Sequence, residues 1–290
     1  MRSWYWMILT FLLPMACPAD PPVYQGQGLC RFVLHDYYLP VENEYKIDNI
    51  VADLLRRHEE LFAFTNSDLR ITIRIFGRFN DYAAFARTKF NRFEGVQLSG
   101  NISNLAGYFS SMDNEVVTWR QRDPTYLANN ILHECSHAIM HQEYRDLPLW
   151  LDEGCAVYFS FPAFMRSTNA EERLEYQWFE LKKWLDARSL PNLRQFVNLT
   201  PAEFRRMDPA QSYPLSWSLF QFLAGTPQNR ACLRRVASRF QEQDPFHHDC
   251  AALLDQSYPG GLAKMEQDWH RWIAVGATNV LGARLNPPSP

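Results

Sequence analysis

Two short segments, sixteen residues apart, constrain the fold more than any other part of this 290-residue chain. The first contains His133, Glu134 and His137 in the pattern His-Glu-x-x-His, and the second contains Glu153 in Trp-Leu-Asp-Glu-Gly. Residues four apart lie one turn above each other on an α-helix, so a helix brings both imidazoles to one face. Two imidazoles placed in this way bind one metal ion together. We therefore expect a helix whose histidine face meets a further acidic ligand.

The identity of the third ligand decides how the chain folds around the metal. A zinc site with catalytic capacity takes three protein ligands and leaves a fourth position for water or substrate. Glu153 is favoured, because sixteen residues suffice to end one helix, turn and start another packed against it. Glu143 is the rival, but Met140 occupies the position where a glycine would let the chain turn back. The sequence therefore predicts Zn²⁺ bound by His133, His137 and Glu153.

Glu134 lies between the two histidines in sequence and has a different expected role. It is rotated about 100° from His133 around the helix, so it flanks the metal rather than binding it. A carboxylate in that position can take a proton from a water that the metal activates. Glu134 is therefore the candidate general base of a hydrolytic enzyme.

The hydrophobic pattern along the chain predicts strands early and helices late. Predicted strands cover residues 30–34, 69–75, 107–110 and 115–119, and predicted helices cover residues 44–62, 81–90, 123–141, 151–159, 173–187, 202–206, 215–223, 230–241 and 262–274. Strand 69–75 alternates apolar and polar residues, which indicates one buried face and one wet face. Strands followed by helices make the fold class α+β.

Composition and charge exclude several classes of protein. The chain is 47% hydrophobic, which is ample for a large buried core. Its formal net charge is -3 and no basic run stands out, so we expect no nucleic-acid partner. No internal apolar stretch is long enough to be a transmembrane helix.

The N-terminus predicts export to the periplasm or the extracellular space. Arg2 precedes the apolar run Trp4–Leu13, which is too short to span a bilayer, and small residues follow it. This pattern is typical of a secretory signal, with cleavage after Ala16 or Ala19. A buried N-terminal helix is one alternative, and a lipid anchor at Cys17 is another.

These patterns divide the chain into four predicted parts. Residues 1–19 are the signal, and residues 20–122 form an α+β part that ends in an edge-strand hairpin. Residues 123–275 form the helical, zinc-binding part, and residues 276–290 are a proline-rich tail.

The cysteines offer a further set of expectations. Export permits disulfides, and Cys232 with Cys250 is the expected pair because both lie in the same C-terminal segment. Cys135 and Cys155 should face away from the metal, and Cys135 is expected to be a buried thiol or half of a disulfide rather than a nucleophile. His247–His248, near Cys250, could imitate a metal cluster, but their spacing fits no common zinc motif.

The two motif segments together resemble the gluzincin metallopeptidases. The segment Trp150–Tyr158 reads Trp-Leu-x-Glu-Gly-x-Ala-x-Tyr, similar to the third-ligand helix of the gluzincin aminopeptidases. A group of exported bacterial peptidases of unknown function is similar, more weakly, from Phe32 to Ile273. The resemblance implies a zincin-like fold with a small N-terminal mixed sheet. It also implies that Tyr213 donates a hydrogen bond to the oxyanion of the reaction.

The hairpin before the zinc helix is the predicted place for substrate. An extended peptide or protein segment can pair with an exposed strand edge, and residues 107–109 would be that edge. The polar loop at residues 92–104 could form a flap over the cleft.

Two departures from the gluzincin pattern leave alternatives open. No Gly-x-Met-x-Asn motif precedes the zinc helix, which argues against aminopeptidase specificity. Thermolysin-like enzymes carry a carboxylate one turn after the third ligand, where this chain has Val157. A non-catalytic exported protein with a structural zinc site is therefore an alternative, and a zinc hydrolase acting on a non-peptide substrate is a third interpretation.

Overall fold

The computed structural model describes residues 23–25, 28–65, 68–90, 105–144, 146–164, 168–241 and 249–276. The predicted signal with Cys17, the loop at 92–104, His247–His248 and the tail from residue 277 onward lie outside these residues. Within them the fold is α+β, as predicted, with one sheet in the N-terminal part and a mostly helical C-terminal part.

Five strands form one mixed sheet. The strands are β1 (Val23–Gln25), β2 (Cys30–His35), β3 (Ile71–Phe76), β4 (Gly107–Ser110) and β5 (Glu115–Trp119). Their order across the sheet is β1-β2-β3-β5-β4. Strands β2, β3 and β5 run parallel, whereas β1 and β4 pair antiparallel with their neighbours. The predicted hairpin is therefore confirmed, and β4 is an edge strand of the sheet.

Eleven helices lie within the described residues. They are α1 (Val41–Phe62), α2 (Phe79–Phe90), α3 (Pro124–Glu143), α4 (Leu149–Phe164), α5 (Thr168–Asp186), α6 (Leu193–Val197), α7 (Pro201–Phe204), α8 (Pro209–Ala224), α9 (Pro227–Ser238), α10 (Cys250–Ser257) and α11 (Gly261–Val275). Each predicted helix is present with shifted ends, whereas β1, α6 and α10 were not predicted.

The two faces of the sheet are covered differently. Ile71, Ile73 and Ile75 of β3 are fully buried on the face that packs against the main core. On the opposite face Arg74 lies 2.8 Å from the Glu115 carboxylate and over the Phe85 ring of α2. The predicted wet face is therefore only partly exposed, because α2 packs over it.

One hydrophobic core joins the N-terminal part to the helical part. It contains Ile73 of β3, Leu54 of α1, Ile131 of α3, Leu151 of α4 and Trp217 of α8. Helix α4 packs against both α3 and α8, and α3 packs against the sheet. The described helices include none that is both long enough and apolar enough to cross a bilayer.

The predicted disulfide between Cys232 and Cys250 is wrong. Both side chains are buried free thiols, one on α9 and the other at the start of α10. Burial raises the pKa of Cys250 to about 12, and its thiol lies beside the Trp150 indole. These cysteines act as small apolar core residues rather than as a cross-link.

Candidate metal centre

Helix α3 places the two histidines on one face. The Asp123 carboxylate accepts a hydrogen bond from the Thr125 N–H at 2.8 Å, and Pro124 takes the first helical position. Four residues of helical spacing then bring the Nε2 atoms of His133 and His137 to 3.2 Å from each other. Two ring nitrogens at this separation point at the same small volume.

Helix α4 brings the third side chain to the same point. Glu153 Oε2 lies 3.3 Å from His133 Nε2 and 3.7 Å from His137 Nε2. The ligand atoms of these three residues all lie within 4.8 Å of one another. Glu143, the rival ligand, is the last residue of α3 and is rotated about 240° from His137 around the helix.

The connection from α3 to α4 explains why Glu153 reaches the site. The helix does not turn back near Met140, since α3 continues to Glu143 and ends at Tyr144 in an extended conformation. Asp146 then adopts a left-handed conformation with φ 53°, and the Pro148 carbonyl accepts the Leu151 N–H of the new helix at 2.9 Å. The turn thus uses an aspartate in the left-handed conformation, which aspartate tolerates better than most residues other than glycine.

Asp152 is the functional neighbour that sequence reasoning missed. Its Oδ1 lies 2.9 Å from His137 Nδ1, and its Oδ2 lies 3.4 Å from His141 Nε2. A carboxylate at Nδ1 favours the tautomer that carries its proton there, which leaves the Nε2 lone pair for a metal. The carboxylate that Val157 does not provide is therefore supplied by the residue directly before Glu153.

Buried negative charge gives the site a need for positive charge. Burial alone would lower the pKa of His137, but Asp152, Glu153 and Glu134 together raise it to about 10. The same pairing holds the pKa of Asp152 well below its usual range, against the effect of burial. Either a proton on His137 or a cation held between the three ligand atoms would offset this buried negative charge.

The donor set fits Zn²⁺. Two imidazole nitrogens and one carboxylate oxygen are a common catalytic zinc ligand set. Glu153 Oε2 is buried and makes no hydrogen bond to the part of the chain that the structure describes. A buried carboxylate oxygen without a hydrogen bond beside two imidazole nitrogens is suited to coordinating an ion.

Glu134 lies deeper than the ligands, between α3 and the edge strand. It is only 7% exposed, and the backbone N–H of Phe109 in β4 donates to its carboxylate. Burial raises its pKa, while the two nearby imidazoles oppose that rise. A carboxylate with a raised pKa has greater affinity for a proton than an exposed one.

Tyr213 lies on the other side of the ligands, in the first turns of α8. Its ring centroid is 6.4 Å from that of His133, and its hydroxyl is hydrogen-bonded to Glu153. The Glu153 charge, followed by burial, raises the pKa of Tyr213 far above its usual value. The hydroxyl therefore keeps its proton and remains a hydrogen-bond donor.

These side chains open onto one cleft of about 1090 Å³. Strand β4 forms one wall with Gly107, Tyr108 and Phe109, and helices α4, α5 and α8 contribute to the others. Gly107 is favoured there, because a Cβ atom would lie 2.8 Å from the Val117 backbone carbonyl oxygen and 2.2 Å from the Asn130 amide nitrogen of α3. The edge strand and the histidine helix thus touch along the floor of the cleft.

The two cysteines near the motif lie in the core. Cys135 and Cys155 are fully buried free thiols, so of the two predicted states of Cys135 the structure has the buried thiol. Burial raises the pKa of both thiols, and Cys155 Sγ lies 3.6 Å from the buried imidazole of His58. Neither sulfur belongs to the group of metal-holding atoms found among the described residues.

Comparisons with known proteins add no name to this site. No family model matches the chain, and a search of curated proteins finds no similar sequence.

Proposed function

We propose that this chain is a zinc-dependent peptidase of the gluzincin type, exported if residues 1–19 act as the predicted signal. The observation that carries the proposal is the meeting of His133, His137 and Glu153 at one point of a cleft, with Glu134 beside them. A metal bound by these three residues would polarise a carbonyl group and lower the pKa of water toward ~7.

Glu134 is the proposed general base. Its carboxylate takes a proton from the attacking water and later delivers it to the leaving amine. The raised pKa of Glu134 suits both steps, since the ideal pKa of such a group lies near the working pH. The Phe109 N–H restrains the carboxylate and ties its position to the edge strand.

Tyr213 is the proposed donor to the developing oxyanion. Its protonated hydroxyl already contacts Glu153, so a small rotation would bring it to an oxygen bound between the ligands and α8. One such donor is typically worth about 10²–10³ in rate.

The edge strand is the proposed support for substrate. The outer edge of β4 lines the cleft, and an extended peptide can pair with backbone groups there irrespective of its side chains. This arrangement favours a peptide or protein over a small non-peptide substrate.

One of the two observations that favoured a non-catalytic zinc protein no longer supports that alternative. It rested partly on the missing carboxylate at Val157, and Asp152 occupies that role from a different position. A purely structural site also has no need of a buried acid such as Glu134 next to its ligands.

The test compares two Glu→Gln variants on the same helix. The zinc-loaded wild-type protein should contain about one zinc and cleave unstructured peptides. Glu134→Gln should keep the zinc and lose about 10²–10⁴-fold in kcat/KM, whereas Glu143→Gln should retain both. Full activity of Glu134→Gln would reject the mechanism, and loss of zinc in Glu143→Gln would reject the ligand assignment.

A further inference from the structure

Asn129 is a buried amide whose polar atoms have no partner. It lies on α3, four residues before His133, and only 2% of it is exposed. It lines the cleft, yet neither its Oδ1 nor its Nδ2 makes a hydrogen bond to any described residue. An unpaired buried amide is destabilising, so its retention at this place needs an explanation.

Two other amides among the described residues, one half-buried and one buried, are paired. Asn130, the next residue of α3, donates from Nδ2 to Thr118 Oγ1 at 3.0 Å. Asn229 on α9 donates to the Phe222 carbonyl, also at 3.0 Å. The unpaired state of Asn129 therefore does not extend to these amides, and Asn130 is paired although it lines the same cleft.

The position of Asn129 relates it to the reacting bond. Residues four apart on a helix share one face, so Asn129 continues the row formed by His133 and His137. It lies one turn, about 6 Å, from His133. An extended peptide advances about 3.4 Å per residue, so this spacing corresponds to one or two residues from the scissile bond.

We infer that Asn129 binds a backbone peptide unit of the substrate, one or two residues away from the bond that is cleaved. A primary amide offers both a donor and an acceptor, which matches the C=O and N–H of a peptide unit. A second carboxamide, Gln177 on α5, lines the same cleft and its Oε1 is also buried without a partner among the described residues. The inference rests on the proposed peptidase function and specifies its substrate as a peptide extending beyond the reacting bond.

The test uses depsipeptides, in which one amide N–H is replaced by an ester oxygen. A series of peptides carries this replacement in turn at each position on both sides of the scissile bond. At one position the ester replacement should lower kcat/KM of the wild-type protein about tenfold. The same replacement should not lower kcat/KM of Asn129→Leu any further. If no position shows a loss that depends on Asn129, the inference is wrong.

A stability measurement separates substrate binding from a structural role. Because its amide has no partner in the free protein, Asn129→Leu should lower kcat/KM about tenfold on the all-amide peptide without lowering Tm. The matched control Asn229→Leu removes a paired amide far from the cleft and should lower Tm without changing kcat/KM. If Asn129→Leu folds poorly, Asn129→Ala repeats the comparison, and a lowered Tm with unchanged kcat/KM in both variants contradicts the inference.

The outcomes distinguish this inference from the proposed function. Cleavage by the wild-type protein with no dependence on Asn129 overturns the inference alone. If the wild-type protein does not cleave, binding of hydroxamate-capped peptides to the zinc-loaded protein replaces kcat/KM. Affinity that rises with peptide length and falls in Asn129→Leu then supports the inference while the peptidase proposal fails, and no such affinity overturns both.

Discussion

Gly154 sets the distance between the helix that carries Glu153 and the helix that carries Tyr213. A Cβ atom built on Gly154 would lie 2.5 Å from the Ser216 carbonyl oxygen and 3.0 Å from Phe220 Cβ. Helices α4 and α8 therefore touch backbone to backbone at this point. The glycine that follows the third ligand in the motif has a packing reason, independent of any special backbone conformation.

The structure gives the magnitude of the effect of Gly154→Ala. Ordinary van der Waals contact begins at 3.4 Å, so α4 and α8 must separate by about 0.9 Å to admit the methyl group. Overpacking of this kind costs about 1–3 kcal/mol of folding free energy. A displacement of about 1 Å between groups that act on one substrate can cost about 100-fold in rate.

The assay for Gly154→Ala is kcat/KM together with Tm and zinc content. We expect kcat/KM to fall far more than the modest change in Tm suggests, since Glu153 and Tyr213 move apart. Gly225→Ala is the matched control, because its Cβ would meet nothing closer than 3.3 Å and its φ is -73°. If both variants have the same Tm and kcat/KM, the close approach of α4 and α8 does not control the site.

Three further predictions address the support of the metal centre. Asp152→Asn, which removes the charge at His137 Nδ1, should weaken zinc binding about 10–100-fold in a competition titration with a chelator, and unchanged affinity would contradict the role. Tyr213→Phe should lower kcat about 10²–10³-fold with little change in KM, whereas an effect on KM alone would indicate a binding role. Burial lowers the pKa of His58 from 6.5 to about 3. The contribution of the neutral imidazole to folding stability is therefore complete above pH 6.5 and is lost as the pH falls toward 3. The free energy of unfolding should drop about 1.4 kcal/mol per pH unit more steeply in the wild-type protein than in His58→Gln over that range, and equal slopes would refute the burial argument.

The elements around the site could be predicted because their signals are local. The helix start at Asp123 and Pro124 is a capping pattern, and the edge hairpin around Asn114 is a turn pattern. Helices α6 and α10 were not predicted, and over five and eight residues a hydrophobic period gives little signal, although the shorter α7 was predicted. Their caps were visible in the sequence, since Asn192 and Asp249 each accept a backbone N–H three residues later.

The partner of His137 could not be predicted in the same way. The spacing between His133 and His137 is set within one helix, whereas the residue next to His137 Nδ1 depends on how α4 crosses α3. The sequence pattern pointed one turn after Glu153, to Val157, while the structure uses Asp152 from the first turn of α4. Asp152 was visible in the motif, but its direction follows from the turn at Asp146, which no periodicity describes.

The spacing of α3 and α4 behind the site depends on a helix from the N-terminal part. His58 of α1 lies with Nε2 2.9 Å from Ser136 Oγ of α3 and 3.6 Å from Cys155 Sγ of α4. All three side chains are fully buried, and Ser136 precedes His137 just as Cys155 closely follows Glu153. Each ligand helix is therefore held from the core side by one imidazole of α1. His58 therefore links α1, in the N-terminal part, to both helices of the candidate metal centre, in addition to the direct packing of α3 against α4.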